Sequence, residues 1–354
     1  MNLRAVVLAL STAFLIASSG AAQSAEDPAV RVTTDALELK LGGRIHTQFN
    51  TTSIAVEPTS ELFVRRARVE LSARLGDRVS GAIQPEFGND RVTLKDAFVS
   101  FQLSPEVSLL AGKAYRPFGL LEQTSSKRIL PVERGLRVRG LGAVDAYAVV
   151  SGLGYSNRDV GVQLRGILDD GLEVTAGAFQ GPLHGQVGAN SSYQYAARVR
   201  GAVAPDVRVA AGWSSRDFAE VVGAELVMER GQAFEIDVEY GSFAPGLHVL
   251  AEIVSGDANP FSEERFHGAQ AWVAYRTEPF AGTDMMLEPL LRLSHADVGI
   301  DDVPATQRGG TLVTPGLALY FGPLNRIALN YDLWWGRESV EDANSFKVMF
   351  QMGF

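Results

Sequence analysis

The residues able to do chemistry are scattered, with one exception. His46, His184, His248, His267 and His295 form no H-E-x-x-H pair, and the chain has no G-x-S-x-G elbow, G-x-x-x-x-G-K phosphate loop or G-x-G-x-x-G fingerprint. Ser294, His295 and Asp297 are neighbours in sequence, but a triad is defined by geometry, not proximity. Carboxylates gather in Asp297-Val298-Gly299-Ile300-Asp301-Asp302 without the spacing of a calcium loop. With no cysteine there is no thiolate metal site and no disulfide scaffold. These residues point away from an enzyme and imply neither cofactor nor metal. The exception is a basic run between 113 and 139, where Lys113, Arg116, Lys127, Arg128, Arg134, Arg137 and Arg139 stand against Glu122 and Glu133, a net charge of +5. Guanidinium groups bind oxyanions in a bidentate manner, so such a run can form an anion path.

Charge is divided along the chain. The whole sequence carries −9; residues 26 to 177 hold 19 basic and 19 acidic side chains, and residues 178 to 354 hold 12 and 22. That balance argues against binding nucleic acid by neutralising phosphates. The acidic half supplies Glu225, Glu229, Glu235, Asp237, Glu239, Glu252 and Glu288, and the first half supplies Arg66, Arg68 and Arg74. Each set lies on the polar face of an alternating segment.

Those segments are the elements that must position the charges. Arg4, the apolar stretch Ala5 to Ala17 and the small residues from Ser18 to Ala25 read as a signal peptide over 1–25, leaving 26–354 as the mature chain. Beyond it no apolar run approaches the ~18 residues of a membrane helix. Alternation takes its place: Phe234, Ile236, Val238 and Tyr240 are separated by Glu235, Asp237 and Glu239, which a strand sends to opposite faces. Such stretches recur as seventeen candidates, among them 207–213, 220–229 and 233–241, joined alternately by tight turns and longer polar loops. Charged faces on strand after strand need a watery interior. A closed antiparallel barrel, apolar outside and polar inside, provides one and leaves no backbone group unpaired in lipid. The fold class is therefore an all-β transmembrane barrel; an even strand number at ~20 residues per strand favours 16 strands, with 18 as second choice. Tyr275, Tyr320, Phe321, Trp334, Trp335 and Phe354 are candidates for the interfacial girdles.

The segment Gly112-Lys113-Ala114-Tyr115-Arg116-Pro117-Phe118-Gly119, with Glu122 and Thr124-Ser125-Ser126 after it, resembles the phosphate-selective porin O and P family. Leu41-Gly42-Gly43-Arg44, Arg65-Arg66-Ala67-Arg68, Asp96-Ala97-Phe98, Arg158-Asp159-Val160-Gly161-Val162-Gln163, and Leu287-Glu288-Pro289 with Arg292 extend the resemblance across nearly the whole mature chain. It implies an outer-membrane homotrimer whose third long loop, here 116–157, folds into the barrel and narrows it. An alternating strand ending in Phe354 resembles the signal read by the outer-membrane assembly machinery. One departure is a glycine-rich stretch at 135–157, which fits either an enlarged loop or a hidden strand. The expected function is a water-filled channel for small solutes with an anion preference. The alternatives are a general porin with a transverse field, or a plugged barrel acting as adhesin or scaffold.

Overall fold

The computed structural model describes residues 29–53, 59–88, 91–136, 145–168, 171–181, 183, 192–299, 309–336 and 343–354. The expected signal peptide, Arg137, Arg139 and the Asp301-Asp302 pair lie outside the described residues.

Seventeen strands form one antiparallel sheet, and sixteen of them close into a barrel. A short β1 (Val30–Thr33) precedes β2 (Leu37–Ser53), β3 (Thr59–Leu75), β4 (Val79–Gly88), β5 (Arg91–Gln102) and β6 (Val107–Tyr115). Two short helices follow, α1 (Leu120–Gln123) and α2 (Ala146–Gly152), before β7 (Arg158–Ile167), β8 (Glu173–Phe179), β9 (Gln194–Ala204), β10 (Val207–Val222) and β11 (Glu225–Tyr240). The wall finishes with β12 (Gly246–Asn259), β13 (Glu264–Arg276), β14 (Met285–Val298), β15 (Gly309–Phe321), β16 (Arg326–Gly336) and β17 (Ala343–Gly353).

Closure runs between β17 and β2, from Asn344↔Ser53 to Gly353↔Arg44. Beyond that seam the same edge of β2 is taken by β1, from Val30↔Leu41 to Thr33↔Glu38. β1 therefore lies outside the sixteen-strand ring and covers the length of β2 that β17 does not reach, so that edge keeps its hydrogen bonds.

The seventeen expected strands differ from the observed ones in two places. Candidates 207–213, 220–229 and 233–241 are two long strands, because β10 and β11 pair without interruption from Val207↔Tyr240 to Val222↔Glu225. β9 pairs β10 only as far as Ser215, and β12 pairs β11 only from Ala233. Residues 216–232 are thus a two-stranded arm standing beyond the rim. β1, four residues long, carries too short a pattern to be read.

Polarity is inverted relative to a soluble sheet. Arg44, His46, Gln48, Asn50 and Thr52 of β2 point inward and are buried, while Leu41 and Ile45 on the other face are 42% and 40% exposed. The same inversion places Phe346, Phe350, Met352 and Phe354 outside and Ser345, Lys347 and Gln351 inside. Of the expected girdle aromatics, Tyr275, Phe321, Trp335 and Phe354 face outward, but Tyr320 and Trp334 are fully buried on the lumen side. They are adjacent in sequence to outward residues, and alternation sends one of each neighbouring pair inside.

Candidate functional site: a clamped loop in the lumen

The long connection between β6 and β7 turns into the barrel. Counted among the connections on that rim it is the third, after β2–β3 and β4–β5. No strand occurs among the described residues of 135–157; α2 is there instead. The turn inward needs Gly119, whose φ of +85° an L side chain rarely adopts. From there α1 points its first N–H groups at the acidic wall: Gly119 N donates to Glu235, and Leu121 N donates to Glu252 at 3.2 Å.

The loop is then fastened along β12–β17 by wall side chains that satisfy its backbone. Arg326 donates to the carbonyls of Ile129 and Leu130 at 2.6 and 3.1 Å, Arg292 to that of Glu133 at 2.9 Å, and Gln270 to that of Arg134 at 2.8 Å. Gln351 donates to the Lys127 carbonyl at 3.0 Å, and Asn330 accepts from Val132 N. Between these bonds lie apolar contacts. Leu120, Leu121, Ile129 and Leu130 pack on Leu250, Trp272 and Leu290; Val132 packs on Met286, Tyr320 and Met349; Leu136 packs on Leu312 and Trp334. The inward aromatics Trp272, Tyr320 and Trp334 are part of the bed on which the loop lies.

α2 is started by Asp145, whose carboxylate accepts from Ala148 N at 3.2 Å and also from Leu136 N. Burial pushes this carboxyl above its ordinary range, against the pull of Arg292 and the two N–H groups. Because the cap ties Leu136 to the start of α2, Asp145→Ala is expected to cost about 1–2 kcal/mol and Asp145→Asn much less. Trypsin cleavage of the folded barrel within 116–157, faster in Asp145→Ala than in Asp145→Asn, is the measurement; equal rates would refute the role.

The opposite side of the lumen is charged. Arg44 pairs with Glu70 and donates to Ser126 of the loop; Lys127 reaches the same Glu70 at 2.9 Å. Arg65 and Arg66 both hold Glu133, at 2.5 and 3.0 Å. Two consecutive residues can do so because the β2–β3 register slips between His46↔Arg66 and Thr47↔Val64, leaving Arg65 as the extra residue of a bulge. A second slip, between Ile83↔Ala97 and Pro85↔Leu94, brings Lys95 and Asp96 inward together. Lys95 joins Arg68 on Glu86, at 3.1 and 2.5 Å, and Asp96 holds Arg158 at 2.7 Å. The Arg158 guanidinium also lies 3.6 Å over the Tyr115 ring.

The residues singled out from sequence divide into several environments. Arg66, Arg68 and Lys127 meet at the charged side of the lumen. Arg116 and Arg134 hold the loop's own fold. Arg116 donates to the carbonyls of Gly154 (2.8 Å) and Ser156, and burial pushes it down to about 10. Arg134 donates to the carbonyls of Leu121 (2.8 Å) and Thr124. Arg128 lies 5.8 Å over the Phe243 ring. Lys113 does not face the lumen: it pairs with Ala97 and with Val160, which is 41% exposed on the outer face. Gly112, with a φ of +129°, sits just before it. Arg74 stands at the short-turn mouth, half-exposed, 3.9 Å from Glu38.

Glu235, Asp237, Glu239 and Glu252 do form one acidic wall. Glu235 and Asp237 share Arg198, and Glu239 takes Arg200 at 2.6 Å. Glu288 is farther round, 2.7 Å from Arg276. Glu225 and Glu229 keep the inward parity but are exposed on the arm, since parity fixes a face and says nothing of height along the strand. Ser294 and His295 point to opposite faces: Ser294 accepts from Ala146 N inside, and His295 bonds Thr311 outside at 3.0 Å, so they assemble no triad.

Sequence reasoning passed over Arg44, Arg65, Lys95 and Arg158 as lumen charges. For all but Lys95 the signal was present in the motif matches, for Arg44, Arg65, Glu122, Ser126, Arg158, Asp159 and Arg292 all take part in holding the loop or its two ends. The bulges hid Arg65 and Lys95 from a strict period of two.

No curated protein matches the chain in sequence. Among solved structures, an anion-selective porin from Comamonas acidovorans superposes with a TM-score of 0.64 at 11% identity, covering 90% of this chain and all of that one. OmpT, an outer-membrane protein of Vibrio cholerae, gives 0.59 at 15% identity over 92% of this chain and all of that one. The outer-membrane channel DcaP of Acinetobacter baumannii gives 0.59 at 9% identity over 90% and 99%. At these identities the likeness is one of fold. The profile of phosphate-selective porin O and P matches residues 39–249, most of the chain from the first barrel strand to β12, and with the closed barrel and its inward loop the chain belongs to that family.

Proposed function

We propose that this outer-membrane channel passes small solutes by diffusion and prefers anions. The observation that carries the preference is a stoichiometry. Glu70, Glu86 and Glu133 are each shared by two cations, Arg44 with Lys127, Arg68 with Lys95, and Arg65 with Arg66, and Asp96 pairs with Arg158. Where the loop meets this side of the lumen, these described pairs thus set seven cations against four carboxylates. Low-dielectric walls focus that excess on the aqueous path. The acidic wall with Arg198 and Arg200 lies across the barrel, which adds a transverse component to the field and supports weak rather than strict selectivity. A fold and a family name do not define a solute, so the preference proposed is for anions as a class and not for phosphate.

Export by a signal peptide, a homotrimeric state, and recognition of the strand ending in Phe354 by the assembly machinery belong to the same proposal, supported by the family resemblance. No enzymatic role is proposed. In planar bilayers under a KCl gradient, the reversal potential is expected on the anion side of zero; a potential at zero would remove the preference, and absence of conductance would favour the plugged barrel.

A further inference from the structure

Tyrosine and tryptophan are unevenly spread over the outer wall. Tyr195, Trp213, Tyr240, Tyr275, Tyr331 and Trp335 face outward, and all of them belong to β9 to β16. Strands β2 to β8 hold a single tyrosine, Tyr115, and it is buried. Amphipathic rings settle at the boundary between lipid and water, so their absence from a run of neighbouring strands marks a sector that does not meet that boundary.

The same sector departs from a lipid-facing wall in two further ways. Lys113 on β6 points outward between Ala97 and Val160 and has no hydrogen bond or ion pair among the described residues. A lone cation against hydrocarbon is costly. β6, β7 and β8, with nine, ten and seven residues, are the shortest consecutive strands of the ring, and β8 falls short of the ~9–11 residues that span a bilayer. Small outward residues, Ala97, Ala111 and Ala178, keep this wall flat enough for another wall to approach closely.

The chain itself supplies a complementary flank. Seven strands ~4.8 Å apart and an apolar band ~25 Å tall present roughly 800 Å² of wall, the area one partner contributes to a standard interface. At the other end of the sector, Thr51 of β2 and Ser60 of β3 line a depression of about 290 Å³ on the outer face and offer hydroxyl oxygens there. Both stand near the long-loop ends of their strands, as Lys113 does on β6. In a closed ring one flank of each copy meets the opposite flank of the next, so the cation of one copy meets the acceptors of another.

We propose that β2 to β8 form the face through which copies of this chain associate, with Lys113 donating to Thr51 and Ser60 of the next copy. This rests on the homotrimeric state proposed above and assigns a face to it.

The test uses the full-length protein, whose lack of cysteine lets single substitutions be labelled cleanly. In phosphatidylcholine vesicles, a nitroxide on Ala111→Cys of β6 is expected to meet bilayer-dissolved oxygen far less than one on Leu293→Cys of β14, whose side chain is outward and exposed. Sedimentation in detergent reads the assembly. Ala111→Trp, harmless against lipid, should raise the concentration at which the oligomer dissociates by roughly 10-fold or more. Lys113→Met should raise it less and Lys113→Arg not at all; Ala251→Trp, outward on β12, is the control for bulk and should change nothing. Equal oxygen access at Ala111 and Leu293 in an oligomeric wild type, or an oligomer indifferent to Ala111→Trp, would overturn the face and leave the homotrimeric state standing. An oligomer indifferent to Lys113→Met would make the lysine a lipid contact and overturn its pairing. A wild type that sediments as a monomer at every concentration would overturn the homotrimeric state, and the face with it.

Discussion

Replacing Glu133 with Gln is expected to increase anion over cation permeability and to add closures to the single-channel record. Glu133 is the loop residue on which Arg65 and Arg66 converge, with the three side chains at most 12% exposed. The amide keeps the shape and removes one negative charge, so the seven cations of the described pairs, set against four carboxylates, would stand against three. At ~7 Å and a water-like dielectric constant that charge is worth about 0.6 kcal/mol to a passing ion, roughly a threefold change in the permeability ratio. The mechanical effect is larger. Breaking a buried ion pair costs about 3–5 kcal/mol, because the partner charge stays behind. Here the strain falls on a loop, not the barrel, and the Arg292 bond to the Glu133 carbonyl remains as a tether. The barrel should therefore insert normally while the loop samples further positions, seen as excess current variance. A reversal potential unmoved from wild type would show that ions do not pass this clasp, and an unmoved variance would show that the loop is held elsewhere.

The contrast between wall and loop explains what could be read from sequence. Lipid outside and water inside impose a period of two on every strand, so the inward-facing Arg66, Arg68, Glu235, Asp237 and Glu252 were legible from alternation alone. The period fails where the backbone departs from it. One extra residue in β3 places Arg65 beside Arg66, and one in β5 places Lys95 beside Asp96. Height is equally invisible: Glu229 and Glu235 have the same parity on β11, but one is on the exposed arm and the other under α1. The basic run 113–139 was legible as charge, not as role. Much of the loop is buried inside the barrel, and unsatisfied buried carbonyls are costly. Arg116 and Arg134 were therefore drawn into the loop's own carbonyls, and the lumen charges fell to wall residues the motif matches had marked for another reason. Tyr320 and Trp334 follow the same logic, since a loop lying against a wall needs apolar surface there.

Asp332→Asn is expected to be the most destabilising single change in the wall. The Asp332 side chain is fully buried on β16 and neutralises two cations. Its Oδ1 accepts from Arg292 at 2.7 Å and from Thr314 at 2.6 Å, and its Oδ2 pairs with Lys347. Four strands, β14 to β17, are tied through this one carboxylate beside the β17–β2 closure. Asn keeps one oxygen for the Oδ1 bonds but turns an NH2 donor toward Lys347 and leaves both positive charges buried without a neutralising carboxylate, a loss of about 3–5 kcal/mol by the behaviour of broken buried pairs. Thr314→Val removes the hydroxyl that donates to Asp332 and accepts from Arg292 at 3.0 and 2.8 Å, but leaves the charges neutralised, and should cost about 1.5–3 kcal/mol. The two are separable by the temperature at which the folded barrel loses its fast mobility on SDS gels, which should fall more for Asp332→Asn. Adding Lys347→Met to Asp332→Asn removes one of the two orphaned cations, so the double variant should recover part of the lost temperature. Failure to recover would mean that the geometry of Arg292, which also holds the loop at Glu133, and not the charge imbalance, carries the cost.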